Sequence, residues 1–268
     1  MQGFDLDAWR ARVGADISAP SVAALCALQE AQMRAIPFET FDPFLGITPD
    51  LSATFEKLVR RRRGGYCFEL NGLFAAALTA LGYDLRPTLG RVRNGAPQGG
   101  ARTHLVLRVT LEGRDWLADA GFGGHSPLAP LEIGLTGPQQ APNGTYRLVS
   151  DPISGETVVE RLNGDTWVSL YGFDDAFMGE TELQAANWLC ANWPMTVFPN
   201  HLMLAGYDGD TRIGVFDRMV TLHGPDTQTR APLPDFAAFA TLVRDRLNLA
   251  IGDDILRPAW ARIEAAPQ

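Results

Sequence analysis

Apolar and polar positions follow two different rhythms along this chain. In the first third, Leu70, Leu73, Phe74, Ala77, Leu78 and Leu81 recur at helical spacing, which lines one face of an α-helix. That helix starts near Cys67, and Gly82 fits its stop. Ser21–Arg34 is rich in the helix formers Ala, Leu, Gln and Glu and predicts an earlier helix. It ends at Ile36-Pro37, because a proline disfavours helical geometry in the residue before it. Residues 1–83 thus read as mostly helical. Beyond them come short runs rich in β-branched or large apolar residues: Asp84–Val92, His104–Leu111, Asp115–Ala120, Tyr146–Val149, Thr157–Leu162 and Thr166–Tyr171. Gly, Pro, Asn or Asp separate them, which predicts an antiparallel sheet or barrel over 84–190. Asn163-Gly164 between two runs is a hairpin signal. The tail, 191–268, is mixed. His201–Leu204, Thr211–Phe216 and Arg218–Leu222 read as strands. A helical stripe of Phe236, Phe239, Leu242, Val243 and Leu247 follows Pro234-Asp235. Helices, then strands, then a mixed tail predict an α+β fold rather than alternating βαβ units.

Composition narrows the class. The 268 residues are 46% hydrophobic and 20% charged, with a formal net charge of -8, as in ordinary soluble globular proteins. That balance argues against nucleic-acid or anionic-membrane surfaces, which need clustered cations. A local basic pocket stays compatible with it. There is no apolar run of the roughly 18 residues a membrane-spanning helix needs, and the acidic N-terminus does not read as a secretory signal. The three cysteines, Cys26, Cys67 and Cys190, are widely spaced without a CxxC pair. Neither a disulfide framework nor a metal site is expected, and a reducing cytoplasm is the default setting.

Chemistry concentrates at Arg62-Arg63-Gly64-Gly65-Tyr66-Cys67-Phe68-Glu69-Leu70-Asn71. Cys67 lies between a glycine-rich turn and an apolar helix, behind the cations Arg61 to Arg63. A helix N-terminus and nearby cations both favour thiolate over thiol, and the thiolate attacks acyl carbonyls. A base is available at His104, which opens the strand Thr103–Val109. The next strand runs Asp115–Ala120. With an even-length turn around Glu112-Gly113, His104 and Asp119 fall on one face of the hairpin. Leu105, Leu107, Val109 and Leu111 then share the other face with Trp116, Ala118 and Ala120. The imidazole would take the thiol proton, and the carboxylate would orient it and stabilise the imidazolium. In such a pair the thiol pKa should fall and the imidazole pKa rise. Singly, each residue also has a plainer reading: a small buried apolar residue, a satisfied strand histidine, a turn-capping aspartate. Gly121-Phe122-Gly123-Gly124 reads equally as a phosphate-approaching turn or a tight exit from a strand.

Four motifs together resemble the arylamine N-acetyltransferase family: Ile36-Pro37-Phe38-Glu39, the Arg62–Asn71 block, Thr103-His104-Leu105 and Asp119-Ala120-Gly121-Phe122-Gly123. The resemblance implies three parts: a helical bundle (1–83) carrying the nucleophile, a β-barrel (84–190) carrying His and Asp, and an α/β lid (191–268). Their core would resemble that of cysteine proteases. It implies a ping-pong reaction with acetyl-CoA as co-substrate. Cys67 would become an acetyl-thioester, which an arylamine, arylhydrazine or N-hydroxyarylamine then attacks. Cys67, His104 and Asp119 match the catalytic triad. Phe38, Phe68, Val92, Phe122 and Phe198 would line the aromatic pocket, Thr103 and Gly123 would lie near CoA, and Arg63 would brace Glu39. The chain departs from the family pattern at Thr40-Phe41, where Asn-Leu is common, and at Ala120, where Val is frequent. Alternatives from the same residues are an amide synthase using a bulky thioester, a transglutaminase-like or papain-like hydrolase, and a non-catalytic binding module.

Overall fold

The computed structural model describes residues 1, 3–16, 19–224 and 227–265. The helices of the first third are α1 (Leu6–Val13), α2 (Val22–Ala35), the short α3 (Phe41–Phe44) and α4 (Cys67–Ala80); between α2 and α3 lies the two-residue strand β1 (Phe38–Glu39). Their starts are fixed locally. Asp5 Oδ1 accepts from Ala8 N at 3.0 Å, and Ser21 Oγ accepts from Ala24 N at 3.1 Å, so each side chain satisfies a backbone donor that the helix leaves unpaired. α4 lacks such a residue. Glu69 on its first turn instead reaches back, and its Oε2 accepts from Tyr66 N at 3.2 Å.

Eight antiparallel strands form the central sheet: β2 (Asp84–Val92), β3 (His104–Leu111), β4 (Arg114–Ala118), β5 (Leu131–Glu132), β6 (Gln139–Ala141), β7 (Gly144–Asp151), β8 (Glu156–Asn163) and β9 (Thr166–Phe173). Their order is β5-β4-β3-β2-β9-β8-β7-β6. The two edges meet where Gln139 bridges to Glu132, accepting from its N–H at 2.8 Å and donating to its carbonyl at 3.0 Å. The sheet is therefore nearly closed as a barrel, which removes its exposed edges. Leu111 pairs with Arg114 across a two-residue turn, Glu112-Gly113, with φ of 54° and 74°. Two positive φ values make the turn that matches strand twist. It is the even-length turn, and Leu107 faces Ala118 while Val109 faces Trp116. One face of the hairpin packs Leu105, Leu107, Val109, Ala118 and Ala120 into the same core as Leu70, Leu73, Phe74 and Ala77 of α4. The other face, with Val106 and Leu117, fills the barrel against Tyr146, Val159 and Tyr171.

After the barrel come α5 (Glu180–Asn192), the strands β10 (Met203–Asp208), β11 (Thr211–Phe216), β12 (Met219–His223) and β13 (Gln228–Pro232), and the helices α6 (Phe236–Thr241) and α7 (Asp253–Ala265). The second sheet runs β1-β10-β11-β12-β13. β1 thus joins the C-terminal sheet, and Phe41 and Phe44 of α3 enter its core beside Phe239, Leu256 and Trp260.

Candidate active site

Cys67 is the first residue of α4, and His104 is the first of β3. Asp119 follows β4 directly. All three are buried, at 4%, 2% and 1% exposure. The chain folds them together because α4 crosses the open end of the β3–β4 hairpin. Asn71 provides the clamp: its Nδ2 donates to Leu105 O at 2.6 Å and to Asp119 Oδ1 at 2.8 Å, and its Oδ1 accepts from Ala120 N at 2.8 Å. Gln29 of α2 accepts from Asp119 N at 3.1 Å. The approach is close enough that a Cβ at Gly121 would stand 3.1 Å from Cys67 Cα and 2.9 Å from Asn71 Nδ2. Glycine is required there for space.

His104 Nε2 lies 2.8 Å from Asp119 Oδ2. With that nitrogen engaged by the carboxylate, the other ring nitrogen is left for Cys67, which shares the cavity wall with His104 and whose thiolate the His104 charge favours. The Cys67 thiol also points at Thr103 O, 3.6 Å away. Burial alone would lower the imidazole pKa, but the charge and hydrogen bond of Asp119 outweigh it and raise His104 to about 10. Asp119 is held low, since His104, Asn71 and the Gly121 N–H together overcome its burial. The rise at His104 matches expectation; the expected fall at Cys67 does not hold. Burial pushes the thiol up by more than His104 and the Leu105 N–H pull it down. A thiolate in this pocket therefore exists as the partner of the His104 imidazolium, not as a free anion.

The charges behind α4 are also paired. Arg63 donates to Glu39 Oε1 at 2.7 and 3.1 Å and to Asp42 Oδ1 at 2.8 Å. Lys57 Nζ reaches Asp42 at 2.7 Å, Glu69 at 2.8 Å and Glu39 at 3.7 Å. Arg61 is exposed and pairs with Glu56. Arg61 and Arg63 are thus engaged elsewhere.

Cys67 and His104 open into a cavity of about 210 Å³, whose walls include Phe38, Val92, Thr103, Phe122 and Phe198. Phe68 does not reach it; its ring lies edge-on to Tyr66 in the core, centroids 5.3 Å apart. Gly123, at φ 73°, precedes the cavity-lining Gly124, and a Cβ on it would stand 2.6 Å from the Phe38 ring. Sequence reasoning missed further wall residues: Asn94, Cys190, Thr196, Val197 and Met203. It also missed Tyr171, whose ring meets His104 edge-on at 4.6 Å and whose buried hydroxyl has no hydrogen-bond partner. A sequence signal existed only for Asn71, inside the cysteine motif.

On the far side of Gly123-Gly124 is a basic cavity of about 390 Å³ lined by Arg34, Arg161, Arg212, His125 and His223, with Asp210 as its acid. Arg212 donates to the carbonyls of Gly123 and Gly124 at 2.8 and 2.9 Å. Arg161 Nε is buried without a hydrogen-bond partner. Burial, then Arg212, Arg161 and His223, push His125 down to about 3, so it stays neutral. Among the described residues, no cluster of three or more His, Cys, Asp or Glu could hold a metal ion, and no helix is long and apolar enough to cross a membrane.

A family model described as N-acetyltransferase matches residues 21–256. The arylamine N-acetyltransferase / N-hydroxyarylamine O-acetyltransferase of Salmonella typhimurium is 35% identical over 243 residues, 88% of this chain and 85% of that protein. The solved structure of the Salmonella typhimurium arylamine N-acetyltransferase superposes with a TM-score of 0.89 at 32% identity, covering 96% of this chain and 97% of that one. The Mycobacterium marinum arylamine N-acetyltransferase in complex with CoA gives 0.90 at 34% identity, covering 97% and 98%.

Proposed function

The chain belongs to the arylamine N-acetyltransferase family, and from that premise we propose how its own residues move an acetyl group from acetyl-CoA to an aromatic amine. The observation that carries the reading is one arrangement: Cys67 and His104 on the wall of the same aromatic cavity, with His104 2.8 Å from Asp119. In the first half-reaction the Cys67 thiolate attacks the thioester carbonyl. The C–S bond to CoA breaks, and the His104 imidazolium protonates the departing CoA thiolate. In the second, the amine nitrogen attacks the Cys67 acetyl-thioester while neutral His104 accepts its proton. Cys67 leaves as thiolate, and the ion pair is restored. Asp119 holds the ring in place and stabilises its cation throughout.

Phe38, Phe122, Val92 and Phe198 offer the acceptor ring apolar walls. Phe68 acts from behind, by packing the helix that carries Cys67. Thr103 and Gly123 face the donor side. The basic cavity shares Arg212 and Tyr207 with a narrow gap that in turn shares Phe122 and Gly124 with the reaction cavity. We place the CoA phosphates there, because clustered arginines suit phosphate geometry. In this reading residues 1–83 carry the nucleophile, 84–190 the base and its carboxylate, and 191–268 the lid. The free thiols Cys26, Cys67 and Cys190 suit a reducing cytoplasm. A cavity of about 210 Å³ accommodates an acetyl group and a small aromatic ring, and a bulky polyketide donor exceeds it.

Incubation with acetyl-CoA alone tests the assignment. Cys67 is expected to gain roughly 42 Da, one acetyl group, and to lose it on adding an arylamine. Cys67→Ala is expected to show neither gain nor turnover. Normal turnover by that variant overturns the mechanism.

A further inference from the structure

We propose that Cys190 is a resolving thiol for Cys67: a hydroperoxide oxidises Cys67, and the two sulfurs then close a disulfide that blocks the site until a dithiol reduces it. The inference rests on the reading of Cys67 as nucleophile. The mechanism has no use for Cys190, yet the fold brings it to the same cavity wall. Cys67 Sγ and Cys190 Sγ each lie 3.6 Å from one atom, Thr103 O. A carbonyl oxygen has two acceptor lobes, so the sulfurs flank a single carbonyl. A second contact fixes the segments that carry them. Tyr66, next to Cys67, donates its hydroxyl to Asn187, one helical turn before Cys190 on α5. The start of α4 and one face of α5 are thereby clamped side by side. Both thiols border open cavity rather than packed core on one side, which leaves room for the side-chain rotation that a disulfide needs.

The two thiols differ in reactivity. Burial raises Cys190 to about 12, whereas Cys67 has an imidazolium to stabilise its thiolate. Peroxide therefore reacts first at Cys67. The Cys67 sulfur takes the terminal peroxide oxygen and the O–O bond breaks. The alkoxide or hydroxide leaves with the His104 proton, giving a sulfenic acid. The Cys190 sulfur then attacks the Cys67 sulfur, the S–O bond breaks, and the oxygen departs as water with the Cys190 proton. One peroxide bond is reduced and two thiols are oxidised. The third thiol, Cys26 on α2, does not line this cavity.

The test treats the wild-type protein, Cys190→Ser, Cys190→Ala and Cys26→Ser with hydrogen peroxide. Intact mass, peptide mapping and uptake of the acetyl label from acetyl-CoA are the readouts. Wild type and Cys26→Ser are expected to lose about 2 Da, yield a Cys67–Cys190 cross-linked peptide, and recover acetyl uptake with dithiothreitol. The Cys190 variants are expected to gain about 16 Da and then 32 Da on Cys67, and dithiothreitol should not restore the more oxidised form. Oxygen addition without a cross-link in wild type overturns the proposal, as does equal recovery in the Cys190 variants. If neither Cys190 variant folds, the wild-type peptide map decides alone. Acetyl uptake by untreated wild type separates the two ideas: its absence refutes the transferase reading, whereas the cross-link is read by mass regardless.

Discussion

Three donors converge on the Asp119 carboxylate: His104 Nε2 at 2.8 Å, Asn71 Nδ2 at 2.8 Å and Gly121 N at 2.9 Å. A buried carboxylate with that many donors keeps its charge, and its charge is what keeps His104 protonated. Asp119→Asn retains the shape and removes the charge. Burial then lowers the His104 pKa, the imidazolium is lost at neutral pH, and nothing offsets the upward push on Cys67. Alkylation of Cys67 by iodoacetamide at pH 7 is expected to slow roughly a hundredfold, with its pH midpoint moving upward. An unchanged profile would show that Asp119 has no hold on the thiol. The same pair links stability to pH. His104 is raised from 6.5 to about 10, so its contribution is complete below pH 6.5 and is lost as pH rises through 10. Asp119 is lowered, so its contribution is lost only as pH falls through its depressed pKa. The stability gap between wild type and Asp119→Asn, measured by thermal unfolding, is therefore expected to be wide at pH 7 and to narrow towards pH 10.

Lys57 and Arg63 hold the buried carboxylates Glu39 and Glu69 and the half-buried Asp42 at the start of α4, and so fix the element that carries the nucleophile. Glu69 is pushed up to about 7 by burial against the pull of Lys57. Lys57→Met leaves Glu39 and Asp42 with Arg63 alone and takes from Glu69 the cation it is paired with. Breaking a buried ion pair from one side costs about 3–5 kcal/mol, a loss that urea unfolding at pH 7 would register. A raised carboxylate costs more stability as pH rises through its pKa, so the loss is expected to shrink towards pH 5, where Glu69 is protonated. A deficit independent of pH would place the damage in packing instead. The lysine was not legible beforehand, because its partners come from two stretches on either side of it, Glu39 with Asp42 and Glu69. What could be read was local. The β3–β4 hairpin follows from alternation and a Glu-Gly turn, and α4 follows from its apolar stripe. β13, the sequence QTRAP, is exposed at all five positions and has no apolar rhythm to betray it. α7 contains Pro258, which argues against a helix on local grounds. α5 is the omission that mattered for the site, since it carries Cys190 to a cavity that it shares with Cys67 and His104, far away in sequence.

Over the whole molecule the formal charge is -8, so an anionic CoA ester meets net repulsion at long range. The junction of α2, the barrel and the C-terminal sheet reverses the sign locally. Arg34, Arg161 and Arg212 come from those three regions, and only folding brings them together. Arg212 is committed to the Gly123-Gly124 carbonyls and shapes the turn beside the reaction cavity. Arg34 is paired to Glu30 at 2.8 Å. Arg161 lines the cavity with no carboxylate paired to it among the described residues, which makes it the arginine a phosphate gains most from. Arg161→Ala is expected to raise KM for acetyl-CoA roughly tenfold, the worth of one charge-assisted hydrogen bond, and to leave kcat near wild type because the reacting atoms are untouched. An acetyl thioester of pantetheine, which lacks the nucleotide phosphates, separates charge recognition from general damage. Its kcat/KM should be the same in wild type and variant. Added salt should weaken acetyl-CoA binding more in wild type than in Arg161→Ala, because screening acts on a charge the variant has already lost. Equal losses with both thioesters would place the phosphates elsewhere and leave the basic cavity with a structural task alone.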